Sequence, residues 1–357
     1  MTKDIILYSE TIKIFLNKQT GQLEHTLYLE KCPVCGKNSS SPYLIHYNFN
    51  YEKCRNCGFV YANPRLNNEG TKLWYNSEFY NAVLNTEYHK IQSGEYYYSS
   101  SLSYQRMKCI AECLLKYAAK DASIFDVGCG IGSFLRLLKN EYGFTNLQGI
   151  ELNKFAANIA REYCGGLNVV WGNILEFKTN KKFDVILCLE TIEHINDLNA
   201  YGNILEHLTK QNGIVLLTTP YHDQKLTFFG GVFGDHYNAP NHVNFFNKKN
   251  LELFLKSYGF TPIFFHLWRN RFSPLSLLKA KLQYERDWVA FAPAQEGDNT
   301  AIYYRKSKAK LKSFAKFIEK EPETRHLKKI GKKIMSFFEQ LLSFDTAEHM
   351  LVVATKN

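Results

Sequence analysis

Short apolar runs alternate with amphipathic segments through the middle of the chain. Five such runs begin at Ile124, Leu147, Asn168, Phe183 and Gly213. Each has the composition of a buried parallel strand, and segments 154–163 and 198–210 between them have helical spacing of apolar residues. Strands that alternate with helices predict an α/β fold with a doubly wound parallel sheet, whose ligand groups lie at the carboxyl ends of the strands.

The first of these strands runs into a glycine-rich turn and then a helix, in the sequence IFDVGCGIGSFL from Ile124 to Leu135. Gly128, Gly130 and Gly132 remove Cβ atoms from the bend, so a ligand can approach the backbone N–H groups closely. The helix that begins at Ser133 would direct its positive end toward the bound molecule. A glycine-rich loop without a ligand is the alternative, because the spacing differs from the dinucleotide fingerprint.

The next two strands end in residues that suit a nucleoside. Glu151 lies about 20 positions after the glycines, where a carboxylate can accept hydrogen bonds from both ribose hydroxyls. Asn173 and Ile174 follow the third strand, and an amide beside an apolar side chain suits the edge and face of adenine.

Between about Ser101 and Leu267 these motifs resemble, in order and spacing, those of class I S-adenosylmethionine-dependent methyltransferases. The resemblance rests on DVGCGIG, Glu151, GNILEF, FDVILCLETIEH and GIVLLTTP. It implies a Rossmann-like sheet of seven strands, S-adenosylmethionine as the cofactor and an enzyme that transfers a methyl group. It also implies that the cofactor is bound by Asp126, Gly128, Cys129, Gly130, Glu151, Leu152, Asn173, Ile174 and Glu190. Cys129 has an alternative role as a packing residue.

The fourth strand leads into LETIEHI, which contains Glu190, Glu193 and His194. Two carboxylates and an imidazole in one predicted helical turn could bind a divalent ion or serve as a base. Ubiquinone-pathway O-methyltransferases have a similar ExxEH pattern, and the resemblance implies metal binding there. The alternative is that Glu190 touches the cofactor while His194 caps or orients the helix.

The polar segment after the fifth strand should overlie the carboxyl edge of the sheet, where functional residues concentrate. Its PNHVNFF sequence resembles the PxHxxFF stretch of small-molecule methyltransferases. We therefore predict that His242 is the general base toward the acceptor, with a structural histidine as the alternative. His222, Tyr221 and His194 are the further catalytic candidates.

Two CxxC pairs near the N-terminus predict a metal site. Cys32 and Cys35 are followed, after 18 residues, by Cys54 and Cys57. This spacing is typical of a Cys₄ zinc ribbon, and four protein ligands close the coordination sphere, so the zinc would be structural. In a cytoplasmic protein, reduced thiols favour metal binding over disulfides.

Zinc and a net charge of +10 also raise the alternative of an RNA-binding modification factor. The excess positive charge does not lie on the zinc ribbon, because the segment from Arg305 to Lys333 alone contains twelve Lys or Arg and three Glu. The VYANPRL and SEFYNAVL sequences near the ribbon resemble bacterial zinc-ribbon methyltransferases of sugar and surface-glycan biosynthesis. We therefore expect a sugar or nucleotide-sugar acceptor, methylated on carbon or oxygen, and no nucleic acid. A quinone-like or lipid-linked acceptor is the alternative.

The end of the chain departs from the minimal methyltransferase pattern. Phe260–Trp268 and Met350–Lys356 read as strands six and seven, which form an antiparallel hairpin in the family. The basic segment between them carries two stripes of apolar residues at helical spacing, joined near Pro322. A helical cap is one interpretation, and peripheral contact of residues 305–344 with anionic lipid is the other.

Four parts follow from these patterns. They are a zinc-ribbon lobe over 1–70, a helical linker or cap over 71–120, a methyltransferase core over 121–268 plus 349–357, and a basic helical insertion over 269–348. No apolar run reaches the ~20 residues that a membrane-spanning helix needs, and a signal-peptide pattern is lacking. We expect a cytoplasmic protein, with peripheral contact at the inner membrane face as a further expectation.

Overall fold

The computed structural model describes residues 13–17, 19–20, 23–46, 49–92, 102–163, 165–222, 239–272, 289–290, 303–304 and 344–357. Within these ranges, a seven-stranded sheet forms the centre of the molecule and a four-stranded sheet forms the larger part of an N-terminal lobe. No helix in the described ranges is both long enough and apolar enough to cross a bilayer.

The N-terminal lobe consists of short antiparallel strands that surround the two CxxC turns. Its strands are β1 (Thr26–Leu27), β2 (Ser40–His46), β3 (Phe49–Cys54), β4 (Val60–Ala62) and β5 (Arg65–Leu66). Strands β2, β3 and β4 pair in chain order, and β1 pairs with β5. The lobe continues into three helices, α1 (Asn68–Tyr75), α2 (Glu78–Gln92) and α3 (Leu102–Leu114). Helix α1 begins at Asn67, whose side chain accepts a hydrogen bond from the N–H of Gly70.

The central part alternates strands and helices as the apolar pattern predicts. Its elements are β6 (Ile124–Val127), α4 (Ser133–Asn140), β7 (Leu147–Glu151), α5 (Lys154–Tyr163), β8 (Asn168–Trp171), β9 (Phe183–Leu189), α6 (Leu198–Leu208), β10 (Thr209–Pro220), β11 (Asn244–Phe245), α7 (Lys248–Ser257), β12 (Phe260–Phe272), β13 (Val289–Ala290), β14 (Tyr303–Tyr304) and β15 (Phe344–Lys356). The large sheet has the order β12-β15-β10-β9-β6-β7-β8, and only β15 is antiparallel to its neighbours. The predicted seven-stranded Rossmann-like sheet is thereby confirmed.

The hairpin of β12 and β15 is longer than predicted. Pairing continues past Trp268 to the pair Phe272 and Phe344, with an irregularity between Trp268 and Arg269. The apolar pattern stops earlier, because it follows burial, whereas backbone pairing can continue where side chains are polar. Residues 273–343 therefore separate the two strands, and the two basic helices predicted there lie outside the described residues.

The end of helix α6 and the start of strand β10 also differ from prediction. The helix expected over 198–210 ends at Leu208, where the hydroxyl of Thr209 donates to the carbonyl of Leu205. Strand β10 then begins at Thr209 instead of Gly213, with an irregular pairing before Ile214.

The N-terminal lobe and the central part share one hydrophobic core. Ribbon residues such as Cys54 and Phe59 belong to the same buried cluster as Phe125 and Leu217 of the central sheet. Strand β11 lies far along the chain, but it pairs with β4 and so completes the four-stranded sheet. The segment that carries His242 is therefore held by the N-terminal lobe.

Candidate functional site

A pocket lies at the carboxyl ends of β6, β7, β8 and β9, beneath helix α1. Its lining combines the glycine turn, the ends of these strands and the N-terminal helices: Asn68, Thr71, Tyr75, Tyr80, Val127, Gly128, Ile150, Glu151, Leu152, Gly172, Asn173, Ile174, Leu175, Glu190, Thr191, His194, Ile195 and Asn196. Seven of the residues proposed from sequence for the cofactor or for catalysis are among them. Four other lining residues come from the segments that precede the predicted methyltransferase core.

Glycines of the turn after β6 adopt a positive φ, and one of them packs too closely on Thr191 to carry a Cβ. Gly128 has φ +74°, and a Cβ there would lie 2.9 Å from the Oγ1 of Thr191. Gly130 has φ +55° and faces open space. Asp126, 2% exposed, has an Oδ1 atom with no hydrogen-bond partner. Burial, together with the charge of Glu151, raises the pKa of Asp126 to about 8.

Glu151 is oriented by two backbone N–H groups. Its Oε2 accepts from the N–H of Gly130 at 2.9 Å, and its Oε1 accepts from the N–H of Asn153 at 2.7 Å. Burial raises the pKa of Glu151, although these hydrogen bonds lower it in part. Each oxygen keeps acceptor capacity for a further donor, as a pair of ribose hydroxyls would require.

The remaining cofactor candidates divide into pocket residues and packing residues. Leu152, Asn173 and Ile174 line the pocket, and the Asn173 side chain also accepts from the N–H of Leu175 at 3.0 Å. The Sγ of Cys129 occupies the space where a Cβ on Gly149 would lie, and Cys129 does not line this pocket. This position favours its alternative role in packing.

Glu190 lies close to Glu193 but does not belong to the group that could hold a metal ion. It has φ +50°, outside the helical region, and the following helical turn covers only Ile192–His194. Its Oε2 lies 3.3 Å from the Nε2 of His349 on β15. Burial alone would raise the pKa of Glu190, but the hydrogen bond and charge of His349 outweigh it and the pKa is lowered. The prediction that Glu190, Glu193 and His194 share one helical turn was therefore wrong.

His242 takes the third position in that cluster. Glu193, His194 and His242 offer ligand atoms that lie within 4.8 Å of one another. The Nδ1 of His194 is 2.9 Å from the carbonyl of Asn241, which can only accept, so Nδ1 carries the proton and Nε2 keeps a lone pair in the neutral ring. Burial lowers the pKa of His194 and favours that neutral form.

Glu193 is 1% exposed, and its Oε1 has no hydrogen-bond partner. Its Oε2 accepts from the hydroxyl of Thr219 at 3.1 Å. Burial raises the pKa of Glu193 well above its usual range, and the nearby charge of Glu190 adds to this effect. A buried carboxylate oxygen and an imidazole lone pair that converge in this way form a donor set suited to a divalent metal ion.

Tyr75 and His349 are site residues that the sequence analysis missed. Tyr75 lines the pocket from α1, its ring meets that of His194 edge-on at 6.2 Å, and its buried hydroxyl has no hydrogen-bond partner. Burial raises the pKa of Tyr75 well above its usual value. The LWYNSEFY sequence is rich in aromatic residues, but nothing in it distinguishes this tyrosine from its neighbours.

Tyr221 and His222 lie against the N-terminal lobe. The N–H of His222 donates to the carbonyl of Phe246 at 2.8 Å, and its ring packs edge-on against Tyr43. Burial lowers the pKa of His222 to about 4, so the ring is neutral at physiological pH. Neither residue lines the pocket or joins the Glu193 cluster.

The four ribbon cysteines converge as a tetrahedral ion requires. The Sγ atoms of Cys32 and Cys57 are 3.6 Å apart, as are those of Cys35 and Cys54. Zn–S bonds of about 2.3 Å at tetrahedral angles place sulfurs roughly 3.8 Å apart. Glycines with positive φ follow each pair and close the two turns.

Part of the chain is similar to known methyltransferases. Residues 101–263 match the family described as "Methyltransferase domain". The chain is 28% identical over 145 residues to a ubiquinone biosynthesis O-methyltransferase of Rickettsia canadensis, covering 38% of this chain and 61% of that protein. A protein of the same name from Rickettsia prowazekii is 28% identical over 151 residues, covering 41% and 59%. The matches thus span about three fifths of these relatives' length.

Solved structures of similar fold include an S-adenosylmethionine-dependent methyltransferase from Archaeoglobus fulgidus, with a TM-score of 0.42 and 15% identity over 75% of this chain and 100% of the other. Phosphoethanolamine N-methyltransferase 2 of Haemonchus contortus, solved with S-adenosylmethionine, has a TM-score of 0.45 and 14% identity over 83% of this chain and 62% of the other.

Residues 101–263 therefore form a methyltransferase domain, and the prediction of a methyltransferase is confirmed for this part of the chain. The orphan Oδ1 of Asp126 and the glycine turn fit the cofactor's amino group and methionine part. The predicted likeness to enzymes of glycan biosynthesis stays a prediction.

Proposed function

We propose that this protein transfers the methyl group of S-adenosylmethionine to a hydroxyl oxygen of a small molecule. The observation that carries this proposal is the position of His194, which lines the cofactor pocket and also belongs to the cluster with Glu193 and His242. A methyl donor bound by the pocket would thus lie beside groups that can accept a proton. Transfer to a hydroxyl requires such a base, whereas positioning in a dry site supplies much of the remaining rate enhancement.

On the cofactor side, Asp126 and Glu151 divide the binding between them. The unpartnered carboxylate oxygen of Asp126 receives the cofactor's amino group, and Glu151 receives the ribose hydroxyls. Asn173 and Ile174 contact the adenine. When bound, the cofactor supplies an electrophilic methyl group on sulfur.

On the acceptor side, His242 can act in two ways. In the metal-free site its ring nitrogen receives the hydroxyl proton, whereas with an ion bound that nitrogen is a ligand and the proton passes to solvent. His194 is held by its bond to Asn241, and it presents Nε2 toward the same space. Glu193, His194 and His242 would hold a divalent ion, which would lower the pKa of an acceptor hydroxyl at this position. The ion would be bound by one carboxylate and two imidazoles.

The acceptor class follows from the chemistry of this cluster and from the relatives. Both relatives described above are named as O-methyltransferases of ubiquinone biosynthesis, which favours a quinone-like hydroxyl compound. The sugar or nucleotide-sugar acceptor expected from the ribbon sequence is the second acceptor class to test.

The four cysteines of the ribbon bind structural zinc in this proposal. Their Sγ geometry and the closed set of four ligands support that role and leave no position for a substrate. Peripheral membrane contact by residues 305–344 remains a separate proposal, and liposome sedimentation with and without that segment tests it.

The experiment is an acceptor screen with radiolabelled S-adenosylmethionine and mass analysis of the product. The panel contains catechols and hydroquinones, sugars and nucleotide sugars, and total RNA. We expect a methyl ether on a small hydroxyl compound, with activity reduced by a chelator and restored by a divalent ion. Label found only on carbon, on nitrogen or on RNA would overturn the proposal. His242→Ala and His222→Ala form a matched pair in this assay. Loss of activity is expected from His242→Ala, in the cluster, and not from His222→Ala, whose ring packs against the lobe.

A further inference from the structure

Arg65 is fully buried at the junction of the N-terminal lobe and the methyltransferase domain. It is 0% exposed and lies on β5, next to the ribbon sheet. Burial lowers the pKa of Arg65 to about 10, so the guanidinium still carries its charge at neutral pH. A buried charge is costly to maintain, and an apolar side chain of similar volume often serves packing equally well. Its contacts therefore need to be considered individually.

Each hydrogen bond described for the guanidinium ends on an uncharged oxygen. One stays within the lobe, from Nε to the carbonyl of Ala62 at 3.1 Å. The others cross to the methyltransferase domain: Nη1 donates to the Oδ1 of Asn244 at 3.0 Å and to the carbonyl of Asn196 at 3.3 Å, and Nη2 donates to the carbonyl of Val243 at 3.2 Å. Two of these acceptors directly follow His242, and the third lies two positions after His194.

Asn244 extends this network to the turn that carries Glu193 and His194. Its Nδ2 donates to the carbonyls of Ile192 and Ile195, at 2.9 and 2.7 Å. The N–H of Val243 donates to the carbonyl of Glu193 at 2.8 Å. The peptide groups on both sides of the cluster are therefore bonded to one another, and Arg65 bonds to both segments.

The other side of Arg65 is connected to the cysteine turns. The guanidinium lies 5.7 Å from the ring centroid of Tyr61, which stacks on Phe59. Phe59 packs against Phe246 with ring centroids 4.8 Å apart, and its carbonyl accepts from the N–H of Cys54. The ribbon thus contacts the segment of His242 through backbone pairing, aromatic packing and the guanidinium.

We propose that Arg65 is a positioning residue for the cluster of Glu193, His194 and His242. Its guanidinium keeps the two segments of the cluster in register with each other and with the zinc ribbon. The role of the cluster in catalysis rests on the proposed function, but the positioning itself does not. In this role the ribbon is part of the acceptor site, and its contribution is transmitted by Arg65 and Asn244.

The test compares Arg65→Lys, Arg65→Met and Asn244→Asp in the full, zinc-loaded chain. Asn244→Asp keeps an acceptor for Arg65 but removes the donor to the Glu193–His194 turn. The control is Lys356→Met, since Lys356 is also a buried cation. It donates to the backbone carbonyls of Glu206 and Thr209, on α6 and β10, and pairs with the carboxylate of Glu206. Its contacts do not include the cluster.

Three measurements separate positioning from general destabilisation. Binding of Mn²⁺ is followed by the electron paramagnetic resonance of the free ion, S-adenosylmethionine binding by calorimetry, and the His194 and His242 rings by NMR of isotope-labelled histidine. We expect Arg65→Lys to weaken Mn²⁺ binding by about 10-fold or more, as is typical when a residue that orients metal ligands is replaced. The histidine signals should shift, while cofactor affinity stays at the wild-type value. Lys356→Met should lower the melting temperature without either change.

A folded Arg65→Lys protein with wild-type Mn²⁺ affinity and unchanged histidine signals would overturn the proposal. If neither Arg65 variant folds, Asn244→Asp is judged by the same two readouts. Failure of the proposed function has a different signature: wild-type protein that binds no Mn²⁺ contradicts metal binding at the cluster, while the histidine signals still decide whether Arg65 positions it.

Discussion

Asp126 offers the sharpest test of the cofactor site, because its two expected roles oppose each other. In the absence of ligand, its carboxyl group is buried and one of its oxygens has no partner. Replacement by asparagine keeps the shape and removes the charge. We expect Asp126→Asn to stabilise the ligand-free protein near neutral pH and to abolish the stabilisation that S-adenosylmethionine gives the wild type.

The magnitude follows from the pKa of this group. Burial, with the charge of Glu151, raises the pKa of Asp126 to about 8, against about 3.9 in an unfolded chain. A raised pKa means that the folded protein keeps a proton which the unfolded chain releases. The free energy of unfolding is therefore not reduced by Asp126 below about pH 4. It decreases as the pH rises toward 8, and above pH 8 the contribution of Asp126 no longer changes. At about 1.4 kcal/mol per pH unit, the loss approaches roughly 4 kcal/mol at pH 7 as an upper bound.

The assay is denaturant unfolding at pH 5, 7 and 8, with and without S-adenosylmethionine. Asp184→Asn is the matched control, because its pKa shifts in the opposite direction. Burial alone would raise the pKa of Asp184, but hydrogen bonds from Lys210 and Ser123 outweigh it and lower the pKa to about 2. Its contribution to stability is present above the unfolded pKa and is lost only as the pH falls toward 2, so Asp184→Asn should destabilise at pH 7. If Asp126→Asn gains no stability at pH 8, or still binds the cofactor as the wild type does, the reasoning fails.

Three further predictions concern the turn, the acceptor cluster and the ribbon. Gly128→Ala should lower cofactor affinity more than tenfold in calorimetry, since its positive φ and the 2.9 Å approach to Thr191 leave no room for a Cβ; unchanged affinity would contradict the predicted close approach. His242→Ala should reduce turnover by about 10² or more, as expected for loss of a general base, with cofactor affinity retained; near-normal turnover with the identified acceptor would show that the assignment is wrong. Cys54→Ser should lower zinc content, measured by atomic absorption, together with the melting temperature; full zinc occupancy in that variant would argue against the four-cysteine site.

The strands and the cofactor turn could be predicted because local physical constraints specify them. A parallel strand covered on both faces must be mostly apolar, as Phe183–Leu189 is, and glycine adopts the positive φ of the turn after Val127 at the lowest cost. Both signals lie within a dozen residues of sequence. The predicted sheet and methyltransferase class follow from them, and both are confirmed.

The grouping of Glu193, His194 and His242 could be predicted only in part, because it depends on tertiary contacts. Sequence proximity grouped Glu190 with Glu193 and His194, but Glu190 has a positive φ outside the helical turn and its carboxylate pairs with His349, a residue on the last strand. The third member of the cluster is His242, and its position depends on the pairing between β11 and β4. No local periodicity encodes that pairing, since strands of two and three residues carry too little pattern.

The same long-range pairing changes the interpretation of the N-terminal lobe. A lobe that only covered the substrate side would contact the rest of the protein through surface side chains. Here the backbone of its strand β4 pairs with β11, the strand that follows His242. Helix α1, which continues from the lobe, supplies Thr71 and Tyr75 to the wall of the cofactor pocket. Residues 101–263 alone therefore lack part of the wall of this pocket and part of the support for the cluster of Glu193, His194 and His242. Zinc bound by the ribbon would stabilise both, because the cysteine turns and the central sheet belong to one buried cluster.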